Sequence, residues 1–373
     1  MNKQRLIDTL LTLVQINSES GDERLIADHL VKELKGLNID VIEDSSQIET
    51  GYGAGNLFAK VPGTLDVEPV CFMVHMDTVK PGNNVKPVVD DTYIKSDGTT
   101  ILGADDKAGI AALIETIRVL QEENIQHGDI EIIITVGEET GLVGAKAFDT
   151  TQIKSKFGYA IDAPGLVGSV VIKAPTQSKI DVDIHGKTAH AGVAPELGVS
   201  AIEIAARAIA NMKLGRINEE TTANIGKITG GDSTNVVTEH VELKAEARSL
   251  VMEKLNAQVE HMKTVFTETA AEMGGQVTFN ERNVYAPINV SPDREVITTV
   301  VDAINNIGRT PELVSLGGGS DGNIFSEKGI ETVILGLGYE EIHTKQERMP
   351  ISELVKITEL IIELIQVQAK KEK

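Results

Sequence analysis

Apolar positions recur along this chain at two different spacings, and the changes between them divide it into elements. Over residues 5–16, Leu6, Leu10, Leu13 and Val14 share one side of a 3.6-residue period, which predicts an amphipathic helix. Ile26, Leu30, Leu34 and Leu37 repeat in the same way behind Ser20-Gly21-Asp22-Glu23, a capping-box pattern that predicts a second helix. Residues 70–74 behave differently. Val70, Cys71, Phe72, Met73 and Val74 are apolar in succession, the mark of a strand buried on both faces in a parallel sheet. Residues 129–136 (DIEIIITV), 159–161 and 332–335 share that character. Shorter strands are expected at 40–43, 56–60, 93–95 and 312–315, with helices from 107 to about 121, over 295–307 and over 352–368.

The middle of the chain follows another plan. KIDVDIH at 179–185 alternates polar and apolar residues, so one face of that strand is solvated. A helix at 199–211, strands near 222–228 and 236–247, a long helix at 251–273 and a strand at 276–284 follow. This strand-helix-strand-strand-helix-strand order predicts an antiparallel α+β domain at about 175–288, inserted into an α/β domain.

Composition narrows the function. A chain of 373 residues with 41% hydrophobic and 24% charged content is long enough for two domains and ordinary for a soluble globular protein. The net charge of −21 would be repelled by phosphate backbones, which argues against nucleic acid as a partner. The single cysteine, Cys71, excludes an intrachain disulfide and lies in an apolar strand, where packing is its expected role. No apolar run is long enough to span a membrane. MNKQRLIDTLLTLVQI lacks the basic region, apolar core and small-residue cleavage site of a leader. A reduced, cytoplasmic protein is expected.

The chemistry gathers where strands end. His75 and Asp77 leave their strand on the same side, as a metal-binding imidazole steadied by a carboxylate would. The C-terminal end of a strand is also where open α/β sheets carry their sites. By itself His-x-Asp is a weak signal. Asp105 and Asp106 sit at a helix start, where carboxylates are favoured even as simple caps. Glu138 and Glu139 follow the strand at 129–136, and adjacent carboxylates diverge, so one can bind a metal while the other acts as a base. Asp162 ends the strand at 159–161, and His343 follows the one at 332–335. Two imidazoles and several carboxylates without a thiolate suit one or two ions such as Zn²⁺, Co²⁺ or Mn²⁺. GGGSDG lacks a following Gly-Lys-Ser/Thr and no serine elbow is present, which disfavours nucleotide binding and serine hydrolysis.

The segments HMDTV, GADDKAG, VGEETGLVGA, IDAPG, AHAG, EAR and EIH, in this order, resemble the di-zinc co-catalytic exopeptidases. That family includes glutamate carboxypeptidases, aminoacylases, desuccinylases and peptidase T, and GADDKAG and VGEETGLVGA are most similar to the peptidase T branch. The resemblance implies a three-layer α/β/α zinc-exopeptidase (phosphorylase/hydrolase-like) catalytic domain at 1–174 and 289–373. It implies a ferredoxin-like lid and dimerisation domain at 175–288, through which a homodimer would form. His75, Asp105 and Asp162 would hold one zinc ion, and Asp105, Glu139 and His343 a second, with Asp105 bridging; Co²⁺ or Mn²⁺ are the substitutes. Glu138 would be the general base on a metal-bridging water, Asp77 would orient His75, and the Asp105–Asp106 peptide would be cis. From the lid, His190 would stabilise an oxyanion, Asn235 would contact substrate and Arg248 would clamp a substrate carboxylate. Gly318, Gly319, Ser320 and Asp321 would line the pocket. As bare residues, a loop histidine, a strand start, a surface ion pair and a helix start account for the same positions. The expected activity is release of the N-terminal residue from short peptides, tripeptides first. An N-acyl amino acid amidohydrolase or carboxypeptidase of the same family, or a non-catalytic metal-binding protein, are the alternatives.

Overall fold

The computed structural model describes residues 1–371 and divides into two compact units. The first comprises Met1–Lys173, Ile288–Ser315 and the chain from Ser320 onward; the second is Ala174–Pro287 with Leu316–Gly319. Among the described residues no helix is long and apolar enough to cross a membrane.

One nine-stranded sheet organises the first unit. Its path runs Asp40–Glu43, Leu57–Val61, Ile130–Thr135, Val70–His75, Phe157–Ala163, Glu331–Gly336, Ser169–Ala174 and Ile288–Asn289, with Glu312–Ser315 paired to Ser169–Ala174. The four strands from Ile130–Thr135 to Glu331–Gly336 are mutually parallel, so their C-terminal ends share one edge of the sheet. Every residue of Val70–His75 and Ile130–Thr135 is buried, as continuous apolar runs require when helices cover both faces.

The register shows which helices lie where. Phe72 pairs with Ile132 and Phe58 with Ile133, so the two rings leave opposite faces. Phe72 stacks near Tyr159, whose hydroxyl donates to the Val296 carbonyl in helix Glu295–Asn306 (2.9 Å). Phe58 meets Phe148, which meets Phe325 of helix Asp321–Glu327. Helices thus flank both faces, giving the three-layer α/β/α architecture. Lys3–Val14, Ala104–Glu122, Ile351–Ala369 and Glu295–Asn306 pack side by side in succession.

The second unit is a five-stranded antiparallel sheet in the order Gly215–Arg216, Thr221–Gly230, His240–Ser249, Thr176–His185, Gln276–Tyr285. Its first long strand lies between its third and its last, the ferredoxin-like arrangement. Helices Ala201–Asn211 and Met252–Glu272 cover one face, over a core that includes Ile180, Val182, Ile184, Leu243, Val259 and Phe266.

Three local expectations are corrected. Ser20 does not cap helix Arg24–Gly36, which starts at Glu23 without a side-chain cap; its hydroxyl donates to Asp77 instead. Ser169–Ala174, unassigned in the sequence, is a strand antiparallel to Glu331–Gly336. The strand expected from 236 starts at His240, because Val237 N–H donates to Ala189 O (2.9 Å) and Ala191 N–H to Asn235 O (3.0 Å), tying 235–237 to the loop before it.

Candidate metal centre

Strand Val70–His75 ends by burying an imidazole. His75 is 2% exposed, and its Nδ1 lies 3.1 Å from Asp77 O and 3.4 Å from Asp77 Oδ1. Both neighbours are acceptors, so Nδ1 carries a proton and Nε2 points into the site. Nε2 is 3.0 Å from Asp105 Oδ1 and 3.7 Å from Asp162 Oδ1. On the other side of Asp105, His343 Nε2 lies 3.2 Å from Oδ2 and 2.8 Å from Glu139 Oε1. One carboxylate therefore has one imidazole on each oxygen.

Two donor sets share that carboxylate. The ligand atoms of His75, Asp105 and Asp162 lie within 4.8 Å of one another, and so do those of Asp105, Glu139 and His343. His75, Glu138 and Glu139 satisfy the same limit. Nitrogen and oxygen donors without sulfur fit two divalent ions of borderline hardness. The electrostatics agree, because the cluster holds more carboxylates than imidazoles. Burial and the charge of Asp162 push Glu138 well above the usual range, and burial and Asp105 bring Asp162 to about 7. Hydrogen bonds donated to Asp105 and Glu139 raise His343 to about 10. Burial opposes ionisation of Asp105, but His343 and His75 overcome it and hold that carboxyl below its ordinary value. The upward shifts of Glu138, Asp162 and His343 mark a site short of positive charge.

The local backbone explains why these side chains meet. The Asp105–Asp106 peptide is cis, and both residues depart from helical geometry, so the regular helix starts at Lys107. Asp106 turns back, accepting the His75 N–H (3.2 Å) on Oδ2. Asp77, fully buried, does more than orient His75. Its Oδ1 accepts the Glu138 N–H (3.0 Å), and its Oδ2 accepts the Glu139 N–H (3.3 Å) and the Ser20 hydroxyl (2.6 Å). Asn56 grips the same loop from below, accepting the Val136 N–H (3.1 Å) and donating to Gly144 O (3.0 Å).

The 339–348 loop closes the site. Glu340 and Arg348 exchange backbone hydrogen bonds of 2.9 and 3.0 Å at its base, and Glu341 and His343 adopt left-handed φ values of 55° and 62°. Tyr339 donates its hydroxyl to Asp162 Oδ1 (3.2 Å). Glu347, 1% exposed, accepts four backbone N–H groups: Leu102 and Gly103 on Oε2 at 2.7 Å, Ala104 on Oε1 at 2.7 Å and Asp105 on Oε1 at 3.2 Å. Fully buried Lys107 carries the nearby counter-charge, with burial lowering its pKa to about 8 against the pull of Glu347 and Asp77.

Ser20, Tyr339 and Glu347 are thus parts of the site that sequence reasoning missed. Ser20 was hidden by an apparent capping box, and Glu347 by the charged run KQER. No spacing rule ties either to a strand end.

Ser320, 2% exposed, accepts the Gly322 N–H (3.1 Å), while its own N–H donates to Asn323 Oδ1 (3.0 Å), a full capping box for helix Asp321–Glu327. The other predicted substrate contacts belong to the second unit. His190 Nδ1 accepts the Gly192 N–H (3.2 Å), which leaves the proton of the neutral ring on Nε2. Asn235 lies beside it in backbone, through the bridge between His190 and Val236. Arg248 is gripped by Glu246, with Nε on Oε1 at 2.9 Å and Nη2 on Oε2 at 3.2 Å, and Nη1 reaches Gly317 O at 3.4 Å. Gly319 is required by close approach, since a Cβ there would fall 2.3 Å from the Tyr285 ring.

A parallel α/β sheet whose carboxyl edge offers shared carboxylate and imidazole donors is the framework of a metal-dependent hydrolase. Residues 71–367 match the model of Peptidase family M20/M25/M40, and the chain belongs to that family. It is similar to the crystal structure of aminopeptidase PepT from Bacillus cereus ATCC 10987, with 53% identity, a TM-score of 0.94, and coverage of 99% of this chain and 100% of that one. A tripeptidase structure from Staphylococcus aureus subsp. aureus Mu50 shares 47% identity and a TM-score of 0.97, each chain being covered completely (100%). Uncharacterized protein YqjE of Bacillus subtilis (strain 168) is 52% identical over 370 residues, 99% of this chain and 100% of that one. The kinship is that of a peptidase T-like exopeptidase, a metallopeptidase acting on peptides.

Proposed function

We propose that the protein is an aminopeptidase releasing the N-terminal residue of short peptides, tripeptides above all, with two divalent ions, zinc by the donor chemistry. His75, Asp105 and Asp162 would hold one ion, and Asp105, Glu139 and His343 the other. The observation that carries this reading is Asp105, whose two oxygens face two different imidazoles. The names of the relatives at 53% and 47% identity, an aminopeptidase and a tripeptidase, support the substrate class.

When bound, such ions polarise a peptide carbonyl and make water acidic near neutral pH. The chain's own residues supply the rest. Glu138 is buried, held at its backbone by Asp77, and kept at high proton affinity by its surroundings. That suits a group that takes a proton from water and returns it to the leaving amine. His190, with its proton on Nε2, is a donor for the oxyanion that forms. Arg248, its fork pre-set by Glu246, suits a substrate carboxylate, and Asn235 and Gly319 shape the contact.

Zinc-loaded protein offered an unblocked tripeptide and its N-acetylated twin tests the reading. Cleavage of the free peptide alone, with release of its first residue, is expected. Preference for the blocked twin would overturn it in favour of an acylase or carboxypeptidase.

A further inference from the structure

The second unit carries another set of metal-type donors, on the sheet face its helices leave uncovered. Strands Thr176–His185 and His240–Ser249 pair antiparallel, with His240 opposite His185 and Glu242 opposite Asp183. Asp183 and His185 are two apart, as are His240 and Glu242, so all four side chains leave the same face. The alternate residues Ile184 and Val241 point into the core. The result is a two-by-two square of two imidazoles and two carboxylates.

Two features make this square more than a polar surface. Asp183 and Glu242 are like charges directly across a strand pair, an unfavourable placement without a cation between them. Yet among the described residues no lysine or arginine pairs with either; the neighbouring Lys244 ammonium goes to Asp181 instead, at 3.1 Å. His240 Nε2 sits 3.2 Å from Asp183 Oδ1, and among the described residues the Glu242 carboxylate has no partner. The donor atoms of Asp183, His240 and Glu242 lie within 4.8 Å of one another, so small rotamer shifts of half-exposed side chains bring them to one ion. The His185 ring stacks on His240 at 5.0 Å between centroids and so lies beside the three donors. His240 and Glu242 also border an open groove of about 410 Å³, with room for water ligands.

The geometry points to a separate binding site for one late first-row divalent cation at Asp183, His240 and Glu242, with His185 alongside. Imidazoles paired with carboxylates favour zinc, cobalt, nickel or copper over magnesium or calcium. The site is independent of the candidate metal centre, which shares no residue with it.

Zinc counted per chain by equilibrium dialysis tests this on full-length protein. His240→Ala and Glu242→Gln are each expected to bind one ion fewer than the parent at a free zinc concentration that saturates it, with tripeptide hydrolysis and the metal-free thermal midpoint unchanged. Asp181→Asn, which alters a neighbouring carboxylate outside the square, should retain the full count. Equal counts in the parent and the two variants overturn the site. Loss of an ion in Asp181→Asn as well overturns it too, because diffuse attraction to an acidic surface would then explain the binding. The result is read as a difference, so it stands whether or not the metal centre performs the proposed reaction.

Discussion

At the scale of single residues, neighbours in the sequence have been given opposite tasks. Glu139 faces His343, whereas Glu138, one position earlier, has no imidazole at hydrogen-bonding distance. Glu138→Ala should therefore keep both metals by elemental analysis while turnover falls about 10²–10⁴-fold, the usual worth of a general base; near-parental turnover would remove it from that role. Glu347 works at one remove, through four N–H groups of the segment carrying Asp105. In Glu347→Gln an amide NH₂ would face two of those donors. Metal affinity measured by chelator competition should weaken about 10–100-fold, as for other residues that orient ligands, with turnover recovering at excess metal. Unchanged affinity with a lowered metal-free melting point would mark Glu347 as a purely structural staple. His75, Glu139 and Asp162 were legible in the sequence because each ends or directly follows an apolar strand, Asp105 because it opens a helix, and His343 because it follows the strand at 332–335 in the segment EIH. Ser20, Tyr339 and Glu347 were not, because each meets its partner only once distant segments have folded together.

At the scale of elements, legibility followed length and periodicity. The buried parallel strands stood out as unbroken apolar runs, and Met252–Glu272 as a long periodic helix. Helix Asp321–Glu327 did not, because seven residues are too few to display a period; its capping box is the better signal. In residues 236–239, β-branched Val236, Val237 and Thr238 suggested strand, but Val236 and Val237 pair with the backbone at 189–190, and Thr238 O accepts the Ala201 N–H (2.8 Å). Phe266, fully buried on Met252–Glu272 and packed near Phe279, anchors that helix to the sheet presenting Arg248. Phe266→Ala should cost about 3–5 kcal/mol in denaturant unfolding, whereas Glu268→Ala on the exposed side of the helix should stay within about 0.5 kcal/mol. Similar losses for both would mean the helix is not anchored by this core.

At the scale of the whole molecule, the chain is strongly acidic and concentrates buried carboxylates around one centre, so its stability should depend on cations. Asp162, Asp321 and Glu23 are each raised to about 7, first by burial. A carboxyl whose folded pKa exceeds its unfolded value contributes stability that is complete below the unfolded pKa and lost as pH rises through the folded one. His343, raised to about 10 by Asp105 and Glu139, also contributes fully below its unfolded value and loses that contribution at higher pH. Asp105, lowered, contributes above its unfolded pKa and stays constant across the neutral range. The metal-free protein should therefore lose stability between about pH 5 and 8. Bound ions supply the missing positive charge and stabilise the folded state by mass action, about 2.7 kcal/mol for a site at a hundredfold excess over its Kd. They also bind more tightly as imidazoles and carboxyls deprotonate. Both effects have the same sign, so the gap between the thermal midpoints of zinc-loaded and chelated protein should widen from pH 5.5 to pH 8. Glu23→Gln should narrow the loss in the chelated protein, because it removes one buried group that must otherwise ionise. A gap that stays constant or shrinks with rising pH would mean that the carboxylate cluster is compensated from within the fold, and that its excess negative charge is not what prepares it for cations.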